Sequence, residues 1–338
     1  MVSVKNAIVQ NQFHNNNSML NPLISVLIPV YGAEQHMEKF CASLFAQDYD
    51  NLQIIFVNDG TKDRSIEILE KLLAGKHAEW KSKVTILNKE NGGVASARNA
   101  GLELVRGDYL IQFDPDDCVE PHAFDKIAEA IERTDSDLIH FDVVWHMDNQ
   151  DETVRIPEYP DVQTALTDMV KGLYIWNLWN KCFKFSLYQD ITLPSDNMGE
   201  DYVLCVQLLS KCKTIYHIPE VLYHYNACNS SSIMHNITTE SRQGAIRNLY
   251  LIYQMFIKDV ENSPIKDGMF LLCYQIGFHM MKGHITNIND YPEIRNYILT
   301  NRLQFKDHRE YSISRQMRIK IYVLYQFMKN TLKRIPAL

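Results

Sequence analysis

The sequence predicts an α/β fold: a mostly parallel sheet covered by helices on both faces, followed by a helical C-terminal extension. Short, almost continuously apolar runs rich in β-branched residues recur at residues 23–30, 52–57, 84–87, 109–113 and 138–141, as expected of strands buried on both faces. Amphipathic stretches of helical period separate these runs, which is the βαβ pattern of a parallel sheet. From Thr239 onward only helical periodicity remains.

Taken in order, residues 23–30 (LISVLIPV) end in Pro29-Val30-Tyr31-Gly32, and a helix is expected over about 34–47. Residues 52–57 end in Asn58-Asp59-Gly60 and lead into a helix with apolar positions Ile66, Leu69 and Leu72/Leu73. Residues 84–87 end in a polar loop closing with Asn91-Gly92-Gly93, and a helix follows through Leu104. The run 109–113 stops at Asp114-Pro115-Asp116-Asp117, because proline cannot donate to a sheet ladder. A helix over about 121–133 then leads to 138–141, after which the alternation fades. Helices are expected at 240–259, 267–283, 292–300 and 312–332. The division expected is a disordered segment 1–21, a catalytic domain 22–235 with halves 22–144 and 145–235, and a helical region 236–338.

With 338 residues, 46% hydrophobic and 22% charged, the chain has ordinary globular composition. A net charge of −7 argues against nucleic acid as a partner. Seven cysteines without a CxxC pair read as reduced thiols of a cytoplasmic protein. No signal-peptide pattern opens the sequence, and no apolar run approaches the roughly 18 residues that span a bilayer.

In a parallel sheet, ligands bind beyond the carboxyl ends of the strands, where Tyr31, Asp59, Asn91 and Asp114 fall. The carboxylates of Asp114, Asp116 and Asp117 repel one another unless a cation or solvent separates them. Oxygen ligands at a strand end suit Mg²⁺ or Mn²⁺ with positions left open for phosphate oxygens; a solvated acidic turn capping the next helix explains the same residues. An EF-hand is disfavoured, because its sixth loop position would be Val119 where glycine is needed. An ionised Asp59 accepts the N3–H of uracil or thymine, which cytosine lacks; an Asx-turn at Asn58-Asp59-Gly60 is the plain alternative. Asn91-Gly92-Gly93 allows close backbone approach and opens a helix whose N-terminus favours anions. Arg98, one turn into that helix, suits a diphosphate, or is a surface residue of an amphipathic helix. No GxGxxG follows the first run and no GxxxxGK is present.

The succession PVYG, VNDGTKDRS, NGGVASARNAGL, GDYLIQFDPDD resembles the family 2 glycosyltransferases of the GT-A fold, over about residues 23–232. The resemblance implies a nucleotide-sugar donor, a DxD-type metal site and inversion at the anomeric carbon. By that resemblance Pro29 and Tyr31 line the nucleoside pocket and Asp59 holds the base. Arg98 faces the diphosphate, Asp114 lies near ribose or sugar, and Asp116 and Asp117 lie nearest the metal; Asn91 and Gly93 are further donor-binding candidates. Gly32 stands where the family usually has asparagine, and Pro115 where it has a small residue.

In the second half, Trp176 to Lys181 (WNLWNK) resembles the family's acceptor-side segment, with Trp179, Asn180 and Lys181 as acceptor-side residues. Trp179 is preferred to Trp176 as a sugar platform, although paired tryptophans often belong to a core. Gly199-Glu200-Asp201 opens a helical run, where acidic residues also serve as N-terminal caps. The family pattern makes Asp201 the catalytic base, with Glu200 its partner, and paired carboxylates can push one pKa upward. Tyr223-His224-Tyr225 and Asn229 to Ser232 resemble the family's closing segment, with His224 or His235 as further candidate metal ligands.

The expected reaction is inverting, metal-dependent transfer from a nucleotide-sugar to a glycan or lipid-linked saccharide, with UDP first and dTDP second among donor nucleotides. A nucleotidyltransferase would need a basic triphosphate loop after the first strand, which Tyr31-Gly32-Ala33-Glu34 is not. A non-catalytic sugar-nucleotide-binding protein is opposed by the retained acidic residues. Residues 309–338 carry seven basic residues against Glu310, interleaved with apolar ones. They are expected to touch an anionic membrane peripherally at its inner face, or to pack on the catalytic domain.

Overall fold

The structure, a computed structural model, describes residues 21–148, 150–170, 173–229 and 238–256. Its first half is built as the apolar runs require. Strand β1 (Ile24–Val30) pairs in parallel with β2 (Leu52–Asn58) on one side and β4 (Tyr109–Gln112) on the other, and β3 (Val84–Asn88) continues the parallel set beyond β2. Every residue of β1 is buried because its two faces serve different layers. Ile24, Val26, Ile28 and Val30 pack with helices α1 (Met37–Leu44) and α2 (Ser65–Ala74), whereas Leu27 packs with α3 (Val94–Leu102). Pro29 lies past the last β1–β4 partner pair, Leu27 with Gln112.

The helices begin later than the apolar period suggests. Residues 32–34 are spent on a loop contact instead: the Gly32, Ala33 and Glu34 amides donate to Thr61, Ser65 and Asp63 side chains. The helix after the acidic segment, α4 (Ala123–Thr134), likewise starts after Pro121, with His122 left-handed at φ 61°.

The sheet then departs from simple alternation. After β4 and the two-residue β5 (Cys118–Val119) come β6 (Leu138–Met147), β7 (Gln150–Val154), helix α5 (Val162–Val170), β8 (Lys181–Lys184), helix α6 (Glu200–Lys211), β9 (Ile215–Asn226) and helix α7 (Thr239–Phe256). Strand β8 enters antiparallel between β4 and β6, and the order is β3-β2-β1-β4-β8-β6-β9-β5, with β7 beside β6. Being antiparallel to both neighbours, β8 leaves β6 running in the direction of the first four strands. That insertion brings the second half of the chain against the carboxyl ends of the first.

Helix α7 belongs to this body. Its Ile246, Ile252 and Tyr253 lie in the same core as α3, α5 and α6, so the division drawn after residue 235 does not separate two cores. The further helices and the basic stretch 309–338 lie outside the described residues, as do residues 1–20. Among the described residues no helix is long and apolar enough to cross a membrane, and six cysteines are free.

Helix α3 is seated on the sheet at Gly101. A Cβ there would stand 2.2 Å from Leu27 Cδ1 and 2.9 Å from Val57 Cγ2. Gly101→Ala should therefore lower unfolding stability in urea by about 1–3 kcal/mol through overpacking; an unchanged midpoint would show that the helix can slide away at no cost.

Candidate active site

The loops after β1, β2, β3 and β4 converge at the carboxyl edge of the parallel strands, and α6 approaches that edge from the second half. At their meeting point lies Arg98, on α3 and 3% exposed. Its Nη2 donates to Asp114 Oδ1 at 2.8 Å and its Nη1 to Glu200 Oε1 at 2.9 Å and to Asp201 Oδ1. Arg98 thus does not project toward a diphosphate, as expected from sequence, but bridges the acid after β4 to the acid pair opening α6. Its Nε is buried without a partner among the described residues.

One guanidinium cannot neutralise three carboxylates, and burial presses Glu200 and Asp114 toward their neutral forms. Burial and the neighbouring Asp201 charge raise Glu200 to about 8, against the pull of Arg98. Burial raises Asp114 to about 6, with Asp201 and Asp116 adding to the shift and Arg98 opposing it. Pairing raises Arg98 despite its burial.

The acidic segment divides its labour. Asp117 is buried, with Oδ2 accepting the Tyr223 hydroxyl at 2.7 Å and Oδ1 the Asn226 amide at 2.7 Å. Burial, then the Asp116 and Asp114 charges, raise its pKa. Its oxygens are committed inside the protein, which corrects the expectation that it ligates a metal beside Asp116. Asp116 is half-buried, and Asn229 Nδ2 donates to its Oδ2 at 2.7 Å. His224 is also committed: Nε2 meets Glu120 Oε1 at 2.6 Å and Nδ1 meets His146 Nε2 at 2.9 Å. It is not free to join a metal, and His235 lies outside the described residues. Among the described residues no three His, Cys, Asp or Glu side chains gather into a cage. A divalent ion that keeps phosphate oxygens as ligands needs only one or two protein carboxylates, and Asp116 and Asp114 are the candidates to supply them.

On the donor side, Tyr31 is 58% exposed at the end of β1, while Pro29 is buried. Asp59, 2% exposed, accepts the Gly92 and Gly93 amides at 3.0 and 2.7 Å, and Lys89 Nζ at 2.5 Å. It thereby shapes the Asn91-Gly92-Gly93 loop, whose Asn91 is exposed. Gly93 has φ 85°, and a Cβ there would stand 2.2 Å from Asn197 Nδ2. The helix opening is not left free for an anion: Asn197 Oδ1 accepts the Ala95 amide at 3.2 Å. Asn197 had no signal in the sequence, being about a hundred residues from the amide it caps. Helix α7 braces its loop, with Arg247 on Asp196 and Asn248 Nδ2 on the Met198 carbonyl at 2.9 Å.

The acceptor-side expectations are largely redirected. Trp179 is 2% exposed and stacks on Tyr223 and Tyr225, with centroids at 5.2 and 5.5 Å. It is core, with no face for a sugar. Asn180 is buried, receiving Lys181 on Oδ1 and donating to the Phe141 carbonyl. Lys181 is buried too, its Nζ bonding the Ile175 and Asn177 carbonyls and Asn180; burial lowers it to about 8. Both side chains are committed inside the protein, and Lys181 fixes the segment that carries Trp176, which is 40% exposed.

An acid after the fourth parallel strand is thus joined through Arg98 to an acid pair at a helix opening. The family model for glycosyl transferase family 2 matches residues 25–193, half of the chain, and the chain belongs to that family. Among similar proteins, the "Uncharacterized glycosyltransferase EpsJ" of Bacillus subtilis is 28% identical over 60% of this chain and 61% of its own. The same organism's "Minor teichoic acid biosynthesis protein GgaB" is 24% identical over 76% of this chain and 29% of its own. The chain thus spans less than two thirds of these relatives. Staphylococcus aureus TarS 1–349 in complex with UDP-GlcNAc has the same fold, with a TM-score of 0.63 at 15% identity over 92% of this chain and 91% of that one. A mannosyltransferase of Pyrobaculum calidifontis, in complex with GDP-Man and Mn²⁺, has a TM-score of 0.55 at 15% identity over 98% and 93%. The GT-A expectation is thereby borne out.

The retained protons have a consequence for stability. Glu200 holds its proton in the folded chain up to about pH 8 and releases it near its ordinary 4.5 when unfolded. Folding therefore takes up protons across that window, and stability falls as pH rises through it. The melting temperature should drop between pH 5 and pH 8, and drop less in Glu200→Gln; equal slopes in the two proteins would exclude a proton stored at Glu200.

Proposed function

We propose that the chain transfers a sugar, with inversion, from a UDP-sugar to a saccharide or lipid-linked saccharide in cell-surface polysaccharide assembly. The observation that carries this reading is the Arg98 bridge, which sets donor-side Asp114 against acceptor-side Glu200 and Asp201 within one guanidinium's reach. An in-line displacement needs that proximity, because the attacking hydroxyl and the departing diphosphate lie on opposite sides of one carbon.

Glu200, which burial and the Asp201 charge push up to about 8, is assigned as the group that orients the acceptor. The role of base falls to Asp201, which would take the acceptor hydroxyl's proton as oxygen attacks the anomeric carbon. Asp116, with Asp114 beside it, would hold Mg²⁺ or Mn²⁺. That ion supplies charge neutralisation for a leaving diphosphate. Asp117 fixes the turn on which Asp116 stands. Tyr31 offers a face to the base, and Asp59, whose oxygens are taken by Lys89 and the Gly92 and Gly93 amides, shapes the loop beside it. The UDP-GlcNAc held by TarS and the Mn²⁺ held by the mannosyltransferase support this donor and ion, and the name of GgaB supports polymer assembly. Residues 22–235 would form the catalytic domain, with α7 as its brace, and residues 309–338 would meet the membrane's inner face.

The test is transfer and binding in one set of variants. Thermal stabilisation by UDP should exceed that by GDP or CMP and require Mn²⁺ or Mg²⁺, and Asp116→Ala should lose the ion-dependent part. Asp201→Asn should bind UDP-sugar normally yet transfer at least roughly 100-fold more slowly. Full activity in excess chelator would overturn the metal assignment. Weakened donor binding with unchanged turnover would remove Asp201 from its role.

A further inference from the structure

We propose that Trp176 is the platform on which the acceptor lies, and hence that the acceptor presents a pyranose ring rather than a polyol-phosphate chain. This rests on the glycosyltransferase reading above and concerns the acceptor half of the same site. Among the described residues the large exposed apolar side chains are Tyr31, Leu173, Trp176 and Met255. Tyr31 stands on the donor side at the end of β1, and only Trp176 offers an aromatic face beside the Glu200–Asp201 pair. Its ring meets that of Tyr202, the residue after Asp201, with centroids 5.1 Å apart and planes inclined at 40°. The Trp176 carbonyl receives Cys205 Sγ at 2.9 Å. Cys205 lies one helical turn beyond Asp201 on the same face of α6, so backbone and ring are both tied to the helix that carries the proposed base.

An exposed tryptophan on a loop is ordinarily free to reorient, and this one is not. The carbonyls on either side of it, Ile175 and Asn177, are held at 2.7 and 2.9 Å by Lys181 Nζ, whose remaining proton goes to Asn180 Oδ1 at 2.7 Å. Lys181 lies above the Tyr174 ring at 4.6 Å and is almost wholly buried. Burying an ammonium is costly. Here the buried charge is spent on immobilising a surface segment that presents an exposed indole. Such expenditure is expected where a binding surface must be rigid before its ligand arrives. An indole face carries negative quadrupolar charge and attracts the polarised C–H groups of a pyranose, which line one face of the ring. An open-chain polyol phosphate presents hydroxyls and charge along its length and has no such face.

The experiment compares wild type, Trp176→Phe and Trp176→Ala with a UDP-sugar donor. The probes are a panel of p-nitrophenyl α- and β-pyranosides, with glycerol- and ribitol-phosphate oligomers as the contrasting arm. We expect transfer to at least one pyranoside and none to the oligomers. Trp176→Ala should raise the KM for the pyranoside at least tenfold while the KM for the donor stays within twofold, and Trp176→Phe should restore most of the loss. Melting temperatures of the variants, expected within a few degrees of wild type, exclude misfolding as the cause. An unchanged acceptor KM in Trp176→Ala, equal rises in both KM values, or transfer confined to polyol phosphates would each overturn the proposal. So would a panel in which no pyranoside accepts sugar. Loss of the Asp201 assignment would appear instead as an undiminished kcat in Asp201→Asn, which leaves the acceptor KM comparison intact.

Discussion

Among the described residues, the guanidinium of Arg98 forms the ion pairs made by Asp114, Glu200 and Asp201. These acids come from the end of the fourth parallel strand and from the opening of a helix about ninety residues later. Left without a cation, a buried carboxylate of this kind costs about 3–5 kcal/mol. With one cation for three acids, the cluster stays tolerable by keeping protons, mostly on Glu200. The two halves of the site are therefore joined by the same charges that give the site its chemistry.

Other contacts across that junction follow the same plan, with each half supplying what the other lacks. Tyr223 and Asn226 on β9 satisfy Asp117 behind the acidic turn, and Asn229 reaches Asp116 at its front. Asn197 caps the helix that carries Arg98, while Arg247 and Asn248 on α7 hold the loop that delivers Asn197. Helix α7 thus acts on the donor side from the far end of the described chain. The acceptor side is set by another inward-directed charge, since Lys181 fixes the segment bearing Trp176.

Much of this was legible in the sequence because it is local. Apolar runs that stop at Pro29-Val30, Asn58-Asp59, Asn88 and Asp114 announce strands and what stands at their ends, and Glu200-Asp201 at the start of an apolar helix marks an acid pair. The rest depends on partners distant in sequence and leaves no period to read. Nothing near Arg98 says that its partners are acids rather than a diphosphate, because a basic residue one turn into a helix suits both. Asp116 and Asp117 look alike as letters, and only Tyr223 and Asn226 tell them apart. Trp176 and Trp179 differ by three residues, and burial against Tyr223 and Tyr225 decides which is core. The antiparallel β8 was hidden because a four-residue strand carries too short a pattern to detect.

The most direct measurement of the central claim is the pH dependence of unfolding free energy in Arg98→Met. If one guanidinium holds the three carboxylates together, its removal should cost about 3–5 kcal/mol at pH 8, where the acids are pressed to ionise. The loss should shrink markedly by pH 5, where they can be protonated. A loss of equal size at both pH values would mean that Arg98 contributes packing alone, and would contradict the account.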